Sequence, residues 1–154
     1  MQDGAMSQSR EEGLGVLGQP QCAALLARHS FGRIAFWSDD APLILPVNYT
    51  FREPTIVIRS GVGTKLEQTP LAPVVFEIDE ADPLGTWGWS VVAQGPAFDI
   101  TDSTDERSKA LRSLPLAPWA PGTRQSWLTI TATRVSGRYF GDLPHEFAEF
   151  FERS

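Results

Sequence analysis

Three apolar runs separated by two short turns lie within residues 31–60, FGRIAFWSDDAPLILPVNYTFREPTIVIRS. All three runs are rich in β-branched and aromatic residues, which favour strands. They are Phe31–Trp37, Leu43–Phe51 and Thr55–Ser60. The clusters Ser38–Pro42 and Glu53–Pro54 contain the residues that typically form turns. The region therefore predicts consecutive antiparallel strands, and Pro46 indicates an edge or a bulge within the second.

Three more strands and three short helices are predicted in the rest of the chain. The strands are Pro73–Asp79, Trp89–Thr101 and Trp127–Phe140, and the helices are Pro20–Arg28, Asp105–Ser113 and Leu143–Phe151, with a helix-like turn at Gly63–Gln68. The strand Trp89–Thr101 must bend or bulge at Gly95-Pro96. Because strands and helices do not alternate, a mainly β fold with six antiparallel strands in a closed or split barrel is expected.

Length and composition are those of a single globular domain. The chain has 154 residues, of which 42% are hydrophobic and 21% are charged. We expect residues 1–15 to form a flexible N-terminal tail and residues 16–154 to form the domain. The net charge of −6 argues against nucleic acid or an anionic membrane as a partner, because both require a cationic surface. Any anion-binding site must therefore be a small group of cationic residues on an otherwise acidic protein.

The cysteine and histidine content argues against a disulfide or a metal centre. Cys22 is the single cysteine, and its spacing from His29 and His145 matches no familiar zinc ligand set. We therefore expect no metal site and a reducing, cytoplasmic environment.

The segment with the densest set of candidate binding groups is residues 55–66, TIVIRSGVGTKL. A strand would carry Arg59 and Ser60 to its end, and after two glycines Thr64 and Lys65 would begin a helical turn. Guanidinium, ammonium, hydroxyl and free amide groups are all donors to phosphate. The segment predicts an anion site. The alternative, solvated charges around an ordinary loop, is decided only by the structural setting.

Several short motifs occur in an order that resembles one known family. They are Phe31–Phe36 (FGRIAF), Pro46–Tyr49 (PVNY), Arg59–Leu66, Gly88–Val92 (GWSVV) and Val135–Arg138 (VSGR). Together, over about Leu25–Arg138, they resemble the pyridoxamine 5'-phosphate oxidase-like split-barrel proteins that bind FMN, particularly the short actinobacterial-type members. The resemblance implies a six-stranded antiparallel split β-barrel with a few short helices that forms a homodimer.

The resemblance also implies where FMN would bind. In that family the Pro-Val-Asn-Tyr strand lies along the flavin ring, and the Arg-Ser and Thr-Lys positions hold the phosphate. The cofactor-binding residues implied for this chain are Pro46, Val47, Asn48, Tyr49, Arg59, Ser60, Thr64, Lys65, Trp89, Ser90 and Trp127. Trp89 and Trp127 are equally compatible with core packing. Because the family binds flavin at the seam of a homodimer, Trp119, Trp127 or Arg138 would reach the site from the other subunit.

These features favour an FMN-dependent oxidoreductase acting on a small molecule. Hydride chemistry belongs to the flavin, so no side chain is assigned as catalytic. The alternative is a non-catalytic carrier or sensor of a flavin, a deazaflavin or a haem-type ligand, because relatives with this barrel bind such ligands. Residues 143–151, LPHEFAEFF, lack the basic cluster that captures the substrate phosphate in authentic pyridoxamine phosphate oxidases, which argues against that substrate.

Overall fold

Eight strands form one antiparallel sheet in the computed structural model, which describes residues 14–38, 40–60, 73–119 and 125–153. The strands are β1 (Leu14–Leu17), β2 (Phe31–Ser38), β3 (Ala41–Arg52), β4 (Thr55–Ser60), β5 (Pro73–Ala81), β6 (Gly88–Asp99), β7 (Ser126–Thr131) and β8 (Arg134–Phe140). The helices are α1 (Gln19–Arg28), α2 (Glu106–Arg112) and α3 (His145–Glu152). None of the described helices has both the length and the apolar character needed to cross a membrane. The predicted turn at Gly63–Gln68 lies outside the described residues.

Strand β6 closes the barrel because it changes partners along its length. Its first part pairs with β5 and β8, whereas its last residues, Ala97–Asp99, pair with β7. The ring β6-β5-β2-β3-β4-β7 is therefore complete with six strands, and β8 and β1 extend the sheet beyond it. The prediction of a mainly β, six-stranded antiparallel barrel is confirmed.

The predicted final strand, Trp127–Phe140, is wrong as one element, because the chain forms two strands there. The break falls at Ala132 and Thr133, whose amides donate to the carbonyls of Pro54 and Gln94 at 2.9 Å each. The break is set by the partners, since β7 pairs inside the ring and β8 pairs outside it. The alternation of side chains shifts by one residue at the break: apolar residues stand at even positions in β7 (Leu128, Ile130) and at odd positions in β8 (Val135, Tyr139), and the sequence prediction missed this shift.

Strand β1 was not predicted. Leu14 and Gly15, which the sequence assigns to the tail, pair with Phe140 and Tyr139 of β8. The other tail residues, 1–13, lie outside the described part of the chain.

The core is formed by the inward-facing side chains of the barrel strands. On β2, for example, Ile34 and Phe36 are buried while Trp37 faces outward. Helix α1 packs its buried residues Leu25 and Leu26 against this core, as its apolar stripe predicts. Each such aliphatic or aromatic side chain contributes about 1.5–3 kcal/mol through burial.

The outer face of β4 is covered near its start and leads to the candidate site at its end. Thr55 and Val57 are buried on that face, 2% and 0% exposed. Arg107 of α2 crosses it and donates a hydrogen bond to Thr55 at 3.0 Å. The next residue on the same face is Arg59, which is only partly buried. Helix α2 therefore leaves the end of β4 available.

Gly95 lies where β6 changes from pairing with β8 to pairing with β7, and we expect Gly95→Ala to lower the free energy of unfolding by about 1–3 kcal/mol. A Cβ atom at Gly95 would lie 1.9 Å from the carbonyl oxygen of Thr131, a backbone atom that cannot rotate away. Urea unfolding followed by circular dichroism measures the loss. Gly18→Ala is the control, because a Cβ there would have its nearest neighbour at 3.6 Å, and we expect a loss below about 1 kcal/mol. Equal losses in the two variants would contradict the close approach of the Thr131 carbonyl to Gly95.

Candidate functional site

Arg59 stands at the end of β4, opposite Trp127 of β7. Its guanidinium carbon lies 5.3 Å from the centre of the Trp127 ring, and its Nη1 donates to the carbonyl of Leu116 at 2.9 Å. Its Nε is buried and has no hydrogen-bond partner among the described residues. Among the described residues, no carboxylate pairs with Arg59.

Asn48 lies on β3, opposite Phe31 of β2, and is half-buried. Its side-chain amide donates to the carbonyl of Ala117 at 3.2 Å. Ala117 directly follows Leu116, the residue that accepts from Arg59. Asn48 and Arg59 therefore hold consecutive residues of one segment, which shows that the predicted ring contact and the predicted phosphate contact are close together.

An aromatic pair adjoins these two polar groups, and exposed apolar side chains lie farther along the same face of the hairpin. The rings of Phe31 and Trp119 lie 4.7 Å apart with an interplanar angle of 37°, and both are partly exposed. Trp37 and Ile44 lie on the same outer face of β2 and β3 and are 69% and 64% exposed. We call Phe31, Trp37, Ile44 and Trp119 the open face. A flat apolar ligand or a second protein surface could cover it.

A second arginine, Arg33, lies between Phe31 and Trp37 on the outer face of β2 and has a different electrostatic setting. Arg33 donates to Glu77 at 3.2 Å and to Asp79 at 2.9 Å, and its guanidinium carbon lies 5.7 Å from the Phe31 ring centre. Burial raises the pKa of the Glu77 carboxyl, and neighbouring Asp79 adds to the effect. Because two carboxylates already neutralise Arg33, Arg59 is the better phosphate donor of the two.

Two predicted site residues point away from this place. The side chains of Val47 and Tyr49 face the core and are 4% and 1% exposed. The Tyr49 hydroxyl donates to the carbonyl of Leu26 at 2.8 Å, and burial raises its pKa. Only the backbone groups of these two residues could reach a ligand on the outer face. Pro46, two residues before Asn48, is exposed on the outer face.

Trp89 and Ser90 lie on β6 and are separate from Asn48 and Arg59. Trp89 is 3% exposed, with ring centres of His29 at 5.0 Å and Phe147 at 6.1 Å. It therefore packs in the core beneath α3. Ser90 lies between Asp79 of β5 and Arg138 of β8 in the sheet.

The remaining predicted residues divide into described and undescribed ones. Trp127 is half-buried beneath Arg59, and Ser60 is half-buried opposite Ser126. Thr64 and Lys65 lie outside the described residues. The structure thus brings together Asn48, Arg59 and Trp127.

Two parts of the site were missed by the sequence reasoning. Phe31 could have been found, because the hairpin register places it directly opposite Asn48. The carbonyls of Leu116 and Ala117 carry no signal in the sequence, since every residue has a carbonyl and only the fold aims these two.

Comparison with known proteins places this barrel in a family. A model of the pyridoxamine 5'-phosphate oxidase family matches residues 19–139. Rv0080, an uncharacterized protein of Mycobacterium tuberculosis, is 28% identical over 127 residues, which cover 79% of this chain and 82% of that protein.

Two solved structures are similar over more than four fifths of this chain. The FAD binding protein from Mycobacterium smegmatis is 29% identical with a TM-score of 0.66, and the match covers 82% of this chain and 98% of that one. A provisionally assigned pyridoxamine 5'-phosphate oxidase from Corynebacterium glutamicum is 27% identical with a TM-score of 0.70, covering 84% and 99%. Because the family match includes all the barrel strands, β2 to β7, this chain belongs to the pyridoxamine 5'-phosphate oxidase family.

Proposed function

We propose that this protein binds FMN through its phosphate at Arg59, at the seam of a homodimer, and uses it as an oxidoreductase. The observation that carries the proposal is the grouping of Asn48, Arg59 and the Phe31–Trp119 pair on one face. FMN has a phosphate, a polar ring edge and a flat ring, and this group offers a partner to each. The similarity to a mycobacterial FAD binding protein supports a flavin nucleotide.

The residues present fit such a cofactor. Arg59 has a buried Nε that lacks a partner among the described residues, and its cationic head has no carboxylate there to neutralise it. A charge-assisted hydrogen bond to phosphate suits that group. Asn48 would orient the polar edge of the ring, and Phe31 and Trp119 would exclude water from its face. A bound flavin supplies hydride transfer, and the side chains named here bind and orient it.

The homodimer is proposed from the open face. Trp37 and Ile44 are more than half exposed, although large apolar side chains of a monomer rarely cluster at the surface. A two-fold interface places the same patch of both subunits in contact, so the open face of one subunit would pack against the open face of the other. Sedimentation of the purified protein measures the association.

Binding of FMN should exceed that of riboflavin by about 10²- to 10⁴-fold, because the charge-assisted contacts of Arg59 and Lys65 to the phosphate contribute about 1.5–3 kcal/mol each. Isothermal titration with FMN, riboflavin, FAD and a deazaflavin nucleotide tests this expectation. Equal affinities for FMN and riboflavin would show that Arg59 does not bind the phosphate. If the protein binds the deazaflavin nucleotide and does not bind FMN, the cofactor is a deazaflavin and the proposal of FMN is wrong.

A turnover assay separates an oxidoreductase from a carrier. We expect the FMN-loaded protein to oxidise a reduced nicotinamide with oxygen or a dye as acceptor, above the rate of free FMN. A loaded protein that binds FMN tightly yet adds nothing to the free-flavin rate with a panel of reductants would support the carrier instead.

A further inference from the structure

The segment Leu114–Trp119 crosses the candidate site directly after α2. Its start continues the helix, because the amide of Leu114 donates to the carbonyl of Leu111 at 3.2 Å. Its middle residue Leu116 is buried, 7% exposed. Pro115 and Pro118 restrict the backbone, since a proline ring fixes φ. The segment is thus a short strap with a restricted shape.

Both polar side chains of the candidate site are tied to this strap. Arg59 donates to the carbonyl of Leu116, and Asn48 donates to the carbonyl of Ala117. A backbone carbonyl is neither a cation nor a hydrogen-bond donor, so the carbonyls of Leu116 and Ala117 do not themselves bind a phosphate. They do restrict the rotamers of two side chains that would otherwise be free.

The far end of the strap is held by an aromatic contact. Trp119 lies against Phe31 at 4.7 Å between ring centres. Phe31 in turn stands directly opposite Asn48 on the neighbouring strand. The aromatic pair therefore joins the end of the strap to the hairpin that carries Asn48.

We propose that Trp119 is a positioning residue: its contact with Phe31 holds the strap so that the carbonyls of Leu116 and Ala117 orient Arg59 and Asn48 for the flavin nucleotide. This inference rests on the proposed function for its ligand. In the protein without ligand, the inference implies that the Arg59 side chain is ordered only while Trp119 contacts Phe31 and holds the strap. Binding to an ordered arginine avoids the entropy loss of immobilising a long side chain.

The first experiment measures ligand affinity. Trp119→Ala should weaken FMN binding by about 3- to 10-fold, the cost of ordering one or two side chains on binding. Riboflavin affinity should fall less, so the FMN-to-riboflavin ratio should decrease. Trp119→Phe should restore both affinities and the ratio. Leu84→Ala is the control, because Leu84 is 86% exposed and lies on the turn between β5 and β6.

The second experiment needs no ligand. The Arg59 Nε–H resonance, assigned by its absence in Arg59→Lys, should be sharp and protected from exchange in the parent protein and in Trp119→Phe. It should broaden or exchange rapidly in Trp119→Ala and in Phe31→Ala, whose folding is checked by circular dichroism. The two variants change opposite sides of the same contact, so both must show the effect.

The outcomes distinguish the inference from the proposed function. An unchanged Arg59 resonance in both alanine variants would overturn the positioning role whatever the protein binds. Equal losses for FMN and riboflavin in Trp119→Ala would also overturn it, because Trp119 would then be only a wall of the ring site. If the parent binds no flavin but the resonance changes as expected, the proposed function fails and the positioning of Arg59 by the strap stands.

Discussion

Replacing Arg59 and Lys65 together by alanine is expected to weaken FMN binding by about 10²- to 10⁴-fold. Each charge-assisted contact to the phosphate contributes about 1.5–3 kcal/mol, so the loss of two amounts to about 3–6 kcal/mol. Arg59→Ala alone should account for about 10- to 100-fold. The contribution of Lys65 rests on its place in the sequence six residues after Arg59.

Isothermal titration of the double variant with FMN and with riboflavin measures this loss. Riboflavin has no phosphate, so its affinity should be nearly the same in the variant and the parent. Arg52→Ala is the matched control, since Arg52 is an exposed arginine of β3 whose Nη1 donates to the neighbouring Phe51 carbonyl at 3.2 Å. A double variant that binds FMN as tightly as the parent does would show that the phosphate lies elsewhere.

Trp89→Ala is expected to lower the free energy of unfolding by about 3–5 kcal/mol, the usual cost of truncating a large buried aromatic side chain. Trp89 is 3% exposed and contacts the rings of His29 and Phe147. Its removal would leave a cavity beneath α3. Because Trp89 lies apart from Asn48 and Arg59, the folded fraction should bind FMN with the affinity of the parent.

Thermal and urea unfolding measure the stability of this variant, and titration at low temperature measures its affinity. Leu84→Ala is the control for stability, because Leu84 is 86% exposed on the turn between β5 and β6 and its loss should change the free energy by less than about 0.5 kcal/mol. A stable Trp89→Ala protein with much weaker FMN binding would show that Trp89 contacts the ligand, as the family resemblance implied.

The strands were predictable where side-chain alternation and turn residues agree. Strand β4 has the bounds Thr55–Ser60 in both the prediction and the structure, since Glu53-Pro54 precedes it and glycine follows it. The break between β7 and β8 was missed although it leaves a signal, because two consecutive polar residues, Thr133 and Arg134, shift the alternation by one position where the pairing partners change. Strand β1 is four residues long, too short for a period to be recognised.

The candidate site was predictable in its chemistry and less so in its geometry. Arg59 is a phosphate donor by residue type, and the structure shows that no described carboxylate neutralises it. Arg33 is chemically the same residue type, yet Glu77 and Asp79 neutralise it because β5 pairs alongside β2. Sequence alone cannot choose between the two arginines on charge.

By itself the sequence determined the secondary structure of most strands and the residue types suited to a flavin nucleotide, because these depend on local patterns and side-chain chemistry. Only the tertiary structure decided that Tyr49 and Trp89 lie in the core, and that Asn48, Arg59 and Trp119 meet on one outer face. The reason is that closing the barrel brings β3, β4 and the strap after α2 together, and strand pairing selects which side of each strand faces outward.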